Sequence, residues 1–128
     1  MHNPDKLAVL RRAKALNIRM HQLPLRGIGL RAPGLRSQLL RATSSIPANI
    51  VEALDQPSAK STARFLSIAI ASANELELHL ELASALKVLG HPGPELQREL
   101  KEIRKMLFGF RAHILKEPDP PKPDANPT

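Results

Sequence analysis

The sequence predicts an all-α fold: an antiparallel, up-down-up-down four-helix bundle whose second helix is kinked at a proline. Three observations carry that expectation. Apolar residues recur at alternating spacings of three and four along the chain, the signature of helices that bury one stripe. Clusters of Pro and Gly interrupt that rhythm at 22–34 and 90–94, where a helix cannot easily continue. Between them, Leu35 to Leu89 reads as two long helices in a hairpin, restarting at Gln56-Pro57-Ser58. Proline at a first helical position loses no hydrogen bond, and serine is a good N-cap. At 128 residues, one domain with one core is expected. We place it at 1–116, with a Pro-rich, disordered tail at 117–128.

The first helix is expected over about 4–21. Pro4 suits the first turn, Asp5 opposes the positive end of the helix dipole, and Val9, Ala13, Leu16 and Met20 form the inward stripe. The run QLPLRGIGLRAPG at 22–34 should be a non-helical loop, with Ile28 and Leu30 folding back on the bundle. It lacks the spacing and the Lys-Ser/Thr ending of a nucleotide-binding loop. The second helix, about 35–55, contains Pro47, which removes the hydrogen bond to the Thr43 carbonyl and should kink the rod there. Thr43, Ser44 and Ser45 are at hand for the freed groups. In the third helix, about 58–88, Leu66, Ala69, Ala73, Leu76, Leu80 and Ala83 make a stripe rich in small residues. The fourth, about 95–115, should bury Leu96, Leu100, Ile103, Leu107, Phe110 and Ile114. Arg98, Lys101, Glu102 and Lys105 fall on its opposite, solvated face, and Gly109 reads as a weak point or a close-packing position.

The unusual feature of the hairpin is polar. Ser45, Asn49 and Glu52 share one face of the second helix, and Ser72, Glu75 and His79 share one face of the third. A structural hydrogen-bond network across the seam is the simplest use of such residues. The hairpin geometry restricts it. Asn49 and Glu52 lie so near the turn that they miss Ser72 and Glu75 by ~16 Å, and only Ser45 comes level with Ser72. Two options follow: each triad pairs separately, with helices one and four or with water, or the triads meet between subunits. Separate local pairing is favoured, with Asn49 and Glu52 capping groups freed around Pro47 or lying near the oligomer surface. A metal site is the sharper alternative, but bundle di-metal sites use Glu and His three apart, and Glu75 and His79 are four apart. Ser72, Glu75 and His79 also fail as a catalytic triad, since helical spacing accounts for all three and no strained turn accompanies them. No enzyme, cofactor or metal is therefore expected.

Charge is distributed unevenly. The first 41 residues hold nine basic groups against one acidic, and the rest hold ten against eleven, for a net +7. Arg11, Arg12, Lys14, Arg19, Arg26, Arg31, Arg36 and Arg41 are thus the candidate nucleic-acid contacts, acting on RNA or DNA backbone with salt sensitivity and little sequence preference. There is no Trp or Tyr, and Phe65, Phe108 and Phe110 fall on or beside core stripes, so no base-stacking platform is expected. A protein-interaction scaffold without nucleic-acid binding is the alternative, and a bundle enzyme or metal protein comes third. The absence of cysteine fits a reducing cytoplasm. No apolar run approaches the ~18 residues of a membrane span. Arg11, Arg12 and Lys14 interrupt any signal-type N-terminus. A cytoplasmic protein is expected.

The hairpin motifs also carry a resemblance. Gln38, Arg41, Ser45, Ile46, Pro47, Asn49, Ile50 and Glu52, followed by Phe65, Leu66, Ile68, Ala69, Ser72, Glu75, Leu76 and Glu77, resemble the two central motifs of the four-helix bundle proteins encoded in intervening sequences of bacterial 23S ribosomal RNA genes. The likeness spans about Leu7 to Leu115. Ala53 stands where those proteins usually have glycine, and the segment before Leu35 lacks their aromatic-Pro-acidic loop. The chain is similar, too, to the accessory variability proteins of diversity-generating retroelements. The resemblance implies a cytoplasmic bacterial protein, a four-helix subunit and a homopentamer. By the retroelement likeness, it also implies nucleic acid and a reverse transcriptase as partners.

Overall fold

The computed structural model describes residues 6–25 and 27–116, with backbone alone at 29 and 30. The start of the expected first helix, the candidate Arg26, the side chain of Leu30 and the expected tail lie outside the described residues. Every regular element is helical: α1 (Lys6–His21), α2 (Ile28–Arg31), α3 (Leu35–Leu54), α4 (Ala59–Ala85) and α5 (Pro92–Lys116). Each of the four long helices packs on two others, α3 on α4, α4 on α5, and α1 on both α3 and α5, which closes a four-helix bundle. Cross-helix partners descend on one helix as they ascend on its neighbour, the order of neighbours that run in opposite directions. Arg41 and Ser45 of α3 meet Glu75 and Ser72 of α4, and Arg104 and Arg111 of α5 meet Glu77 and Ser67 of α4.

The three-four stripes become the core. Val9, Ala13, Leu16 and Met20 of α1 are buried, as are Leu66, Ala69, Ala73, Leu76, Leu80 and Ala83 of α4 and Leu96, Leu100, Ile103, Leu107 and Phe110 of α5. The four alanines on the α1 and α4 stripes keep these helices close to their neighbours. Leu, Ile and Phe supply the buried area, at about 1.5–3 kcal/mol for each fully buried side chain. Truncating Leu76 to alanine at the centre of α4 would cost about 2–5 kcal/mol.

Helix ends follow local chemistry. Ser58 caps α4, its Oγ accepting from the Ser61 amide at 3.1 Å. The far end of α4 closes where the Val88 amide reaches the Ala83 carbonyl and the Lys87 amide reaches Ser84, both at 3.1 Å. This closure puts Lys87 at φ 60°, a conformation that usually selects glycine. α4 consequently stops at Ala85, short of the expected 88. α5 begins at Pro92 instead of 95, because first-turn amides have no helical acceptor and prolines there forfeit nothing. The expected loop at 22–34 also needs correction, since Ile28–Arg31 forms one helical turn between Gly27 and Gly34, both at positive φ. Ile28 packs against the core as anticipated.

α3 is assigned as a continuous helix through Pro47, which is itself buried. Proline offers no amide to the Thr43 carbonyl. The Thr43 hydroxyl is buried without a hydrogen-bond partner among the described residues. Ser44 donates instead to Asn17 of α1 at 3.1 Å, and Ser45 turns to α4. The expected close-packing role of Gly109 is not observed. A Cβ there would meet open space.

Candidate nucleic-acid interface

Half of the candidate cations in the basic N-terminal segment are already engaged. Arg12, in the seam between α1 and α5, donates to Glu99 through Nε at 3.0 Å and through Nη2. One α5 turn away, Arg19 forms a two-pronged pair with both Glu95 oxygens at 3.0 Å. That paired hydrogen bond holds the Glu95 carboxyl below its usual range and the Arg19 guanidinium above its own. Arg31 donates to the Leu86 carbonyl at 2.9 Å, covering an acceptor left open at the end of α4. Arg41 bridges Gln38 at 2.6 Å and Glu75 at 3.3 Å. Of the predicted contacts, Arg12, Arg19, Arg31 and Arg41 are therefore fixed by the fold. Arg11, Lys14 and Arg36 are exposed, with no ion-pair partner among the described residues.

The polar positions of the hairpin divide differently. Ser45 Oγ and Ser72 Oγ lie 2.7 Å apart across the α3–α4 seam, the one pair the helical rise brings level. Asn49 Nδ2 donates to the Ser45 carbonyl at 2.8 Å and to its hydroxyl at 3.0 Å. Ser72 donates back to the Ile68 carbonyl at 3.1 Å. Asn49 thus pairs locally, but the carbonyl it serves is that of Ser45, not the one Pro47 leaves open. Glu52 does not serve the groups freed around Pro47. It is exposed, and its side chain has no hydrogen-bond or ion-pair partner among the described residues. Glu75 takes Arg41 on one side and approaches His79 Nε2 at 3.4 Å on the other. Among the described residues, no three His, Asp or Glu side chains converge as metal ligands.

Beyond residue 41, the exposed cations without an ion pair among the described residues include Lys60, Arg64 and Lys87, and α5 carries a row of them. Arg98, Lys101 and Lys105 share its outer face at intervals of three and four, exposed and without carboxylate partners among the described residues. Of the three α5 carboxylates, Glu99 and Glu95 are held by Arg12 and Arg19 of α1, and Glu102 is exposed on the solvated side. At the α4–α5 seam, Arg104 reaches Glu77 at 2.8 Å and Asn74 at 3.1 Å. Its hydrogen bond keeps the Glu77 carboxyl below the usual range. Phe108 stands beside the free cations. It is 45% exposed, with the Arg111 guanidinium 4.9 Å from its ring centre. It lies beside the core stripe and turns away from it, whereas Phe65 packs against the core and Phe110 is buried. The signal was in the register: Phe108 follows Leu107, and one residue turns a helix by ~100°, away from the buried row.

The comparisons agree on one family. A family model described as 23S rRNA-intervening sequence protein matches residues 5–109. Among solved structures, the chain is similar to a protein of unknown function from the S23 ribosomal protein family of Bacteroides thetaiotaomicron. The TM-score is 0.74 at 25% identity, covering 84% of this chain and 97% of that one. No curated protein matches the sequence.

Proposed function

The chain belongs to the 23S rRNA-intervening sequence protein family, and from that premise we propose that it is a non-enzymatic, oligomeric adaptor that binds RNA or DNA backbone through a basic surface. One observation carries this reading. The seam between α1 and α5 uses its carboxylates on Arg12 and Arg19, whereas the outer faces of these two helices present Arg11 and Lys14, and Arg98, Lys101 and Lys105, with no acidic partner among the described residues. Rows of exposed cations at helical spacing, outside ion-pair distance of the described carboxylates, suit a phosphate backbone, which carries a charge every ~3.4 Å along each strand. The surface differs from the expected one, because half of the N-terminal candidates are engaged elsewhere and α5 contributes more.

Titrating the protein with a structured RNA at low and moderate salt tests the reading. Affinity should be present at low salt and fall steeply as salt rises. Replacing Arg11 and Lys14 by glutamine should flatten the salt dependence by about one phosphate contact each. Absent affinity at low salt, or affinity indifferent to salt, refutes it.

The oligomeric part rests on α4. Ile68, Leu78 and Leu82 are 40%, 62% and 46% exposed, an apolar strip on one side of the helix that a second copy would cover. By resemblance the assembly is a pentamer. Light scattering that returns a monomer at micromolar concentration would remove this part. The same strip favours the second reading, a protein-interaction scaffold, which predicts a partner retained after nuclease treatment.

A further inference from the structure

The basic surface alone does not distinguish a duplex from a single strand, since both offer phosphates. The outer face of α5 adds a group that does. Phe108 is one of three phenylalanines in a chain without Trp or Tyr, and nearly half of its surface is open to solvent. An exposed aromatic of this size forfeits burial, as Phe65 and Phe110 of the same chain do not.

Phe108 is also held in place. The Arg111 guanidinium lies 4.9 Å from the ring centre, and its Nη1 donates to Ser67 Oγ of α4 at 3.1 Å. One side of the ring therefore has an anchored cation over it, itself tied to the neighbouring helix, and this limits the ring's freedom before any ligand arrives. Lys101 and Lys105 lie seven and three residues earlier on the same face, both exposed and neither within ion-pair distance of a carboxylate among the described residues. A ring with one braced face, next to a short row of cations, has the composition of a single-strand binding platform: a base stacks while adjoining phosphates are neutralised. A duplex cannot use the ring, because its bases are already stacked on each other.

We propose that Lys101, Lys105, Phe108 and Arg111 form a single-strand-selective site, in which an unpaired base stacks on the open face of Phe108. The proposal rests on the nucleic-acid reading above and narrows it to single-stranded RNA or DNA, or to unpaired loops.

Fluorescence anisotropy with a labelled oligonucleotide, alone and annealed to its complement, tests it on the full chain. The single strand should bind more tightly than the duplex. Phe108→Leu should weaken single-strand binding by about tenfold, the equivalent of a base-stacking contact of ~1.4 kcal/mol, and leave duplex binding and the melting temperature unchanged. Phe108→Trp should retain or improve single-strand binding. Lys101→Gln with Lys105→Gln should weaken both forms and lower the salt dependence. Equal binding of both forms, or a Phe108→Leu variant that binds the single strand as well as the parent does, overturns the stacking site and leaves the backbone-binding function standing. No binding of either form at low salt overturns both.

Discussion

Two of the bundle's four seams are held by different chemistry. Between α3 and α4, the buried contact is a short neutral chain, Asn49 to Ser45 to Ser72, with Ser72 7% exposed and the Arg41–Glu75 pair lying outside it near solvent. Between α1 and α5, it is a pair of long, partly exposed ion pairs, Arg12 with Glu99 and Arg19 with Glu95. Hydroxyls reach only a few ångströms, so the first seam tolerates a single register. Guanidinium and carboxylate arms are long and flexible, so the second accommodates some sliding and gains little net energy in water. The neutral seam specifies alignment, and the charged seam consumes cations that the sequence offers to a ligand.

The largest effect should come from breaking the neutral chain. Ser72→Ala leaves the Ser45 hydroxyl without its cross-helix partner and should cost about 1–3 kcal/mol in denaturant unfolding. Asn49→Ala, at the more open end, should cost about 1 kcal/mol. Neither should change nucleic-acid affinity of the folded protein. Lost binding with an unaltered melting temperature would make this seam functional and remove the contrast.

A hydroxyl two residues away from Ser45 should behave in the opposite sense. Thr43 is buried, with no partner for its Oγ1 among the described residues. Thr43→Val keeps the shape and removes the unmet polar group, so it should stabilise the fold by about 1 kcal/mol. A fall in melting temperature would show that the hydroxyl has an unrecognised partner.

The charged seam should respond less. In a double-mutant cycle of Arg12→Gln and Glu99→Gln, the coupling should be below about 1 kcal/mol and shrink as salt is added. A coupling above that, unaffected by salt, would place this seam on a par with the neutral one.

The smallest effect is the pH dependence that the charged seam contributes. Arg19 holds Glu95 below its ordinary value of 4.5, so folding favours the ionised carboxylate. The contribution is fully present above pH 4.5 and is lost as pH falls through the lower folded-state value. Arg19→Gln should therefore narrow the loss of melting temperature between neutral and acidic pH. Asn49→Ala should leave that slope as it is, because amide and hydroxyl groups do not titrate there.

Sequence by itself determined what depends on near neighbours along the chain. The four long helices, their buried stripes, the Ser58 cap and the level pairing of Ser45 with Ser72 all follow from a fixed rise and turn per residue together with local breakers. The details that slipped were ends and turns, such as α2 and the start of α5, where isolated prolines and glycines permit more than one outcome. The free surface, by contrast, was decided only by tertiary structure. Arg12 and Arg19 find their carboxylates 87 and 76 residues further along the chain, and Arg41 finds Glu75 34 residues away. Charge density counted along a segment cannot foresee such partners, because an ion pair depends on distance in space and is indifferent to separation in sequence. For that reason half of the candidate cations in the basic N-terminal segment are engaged, while the near-neutral remainder supplies a row of exposed ones beside an exposed ring.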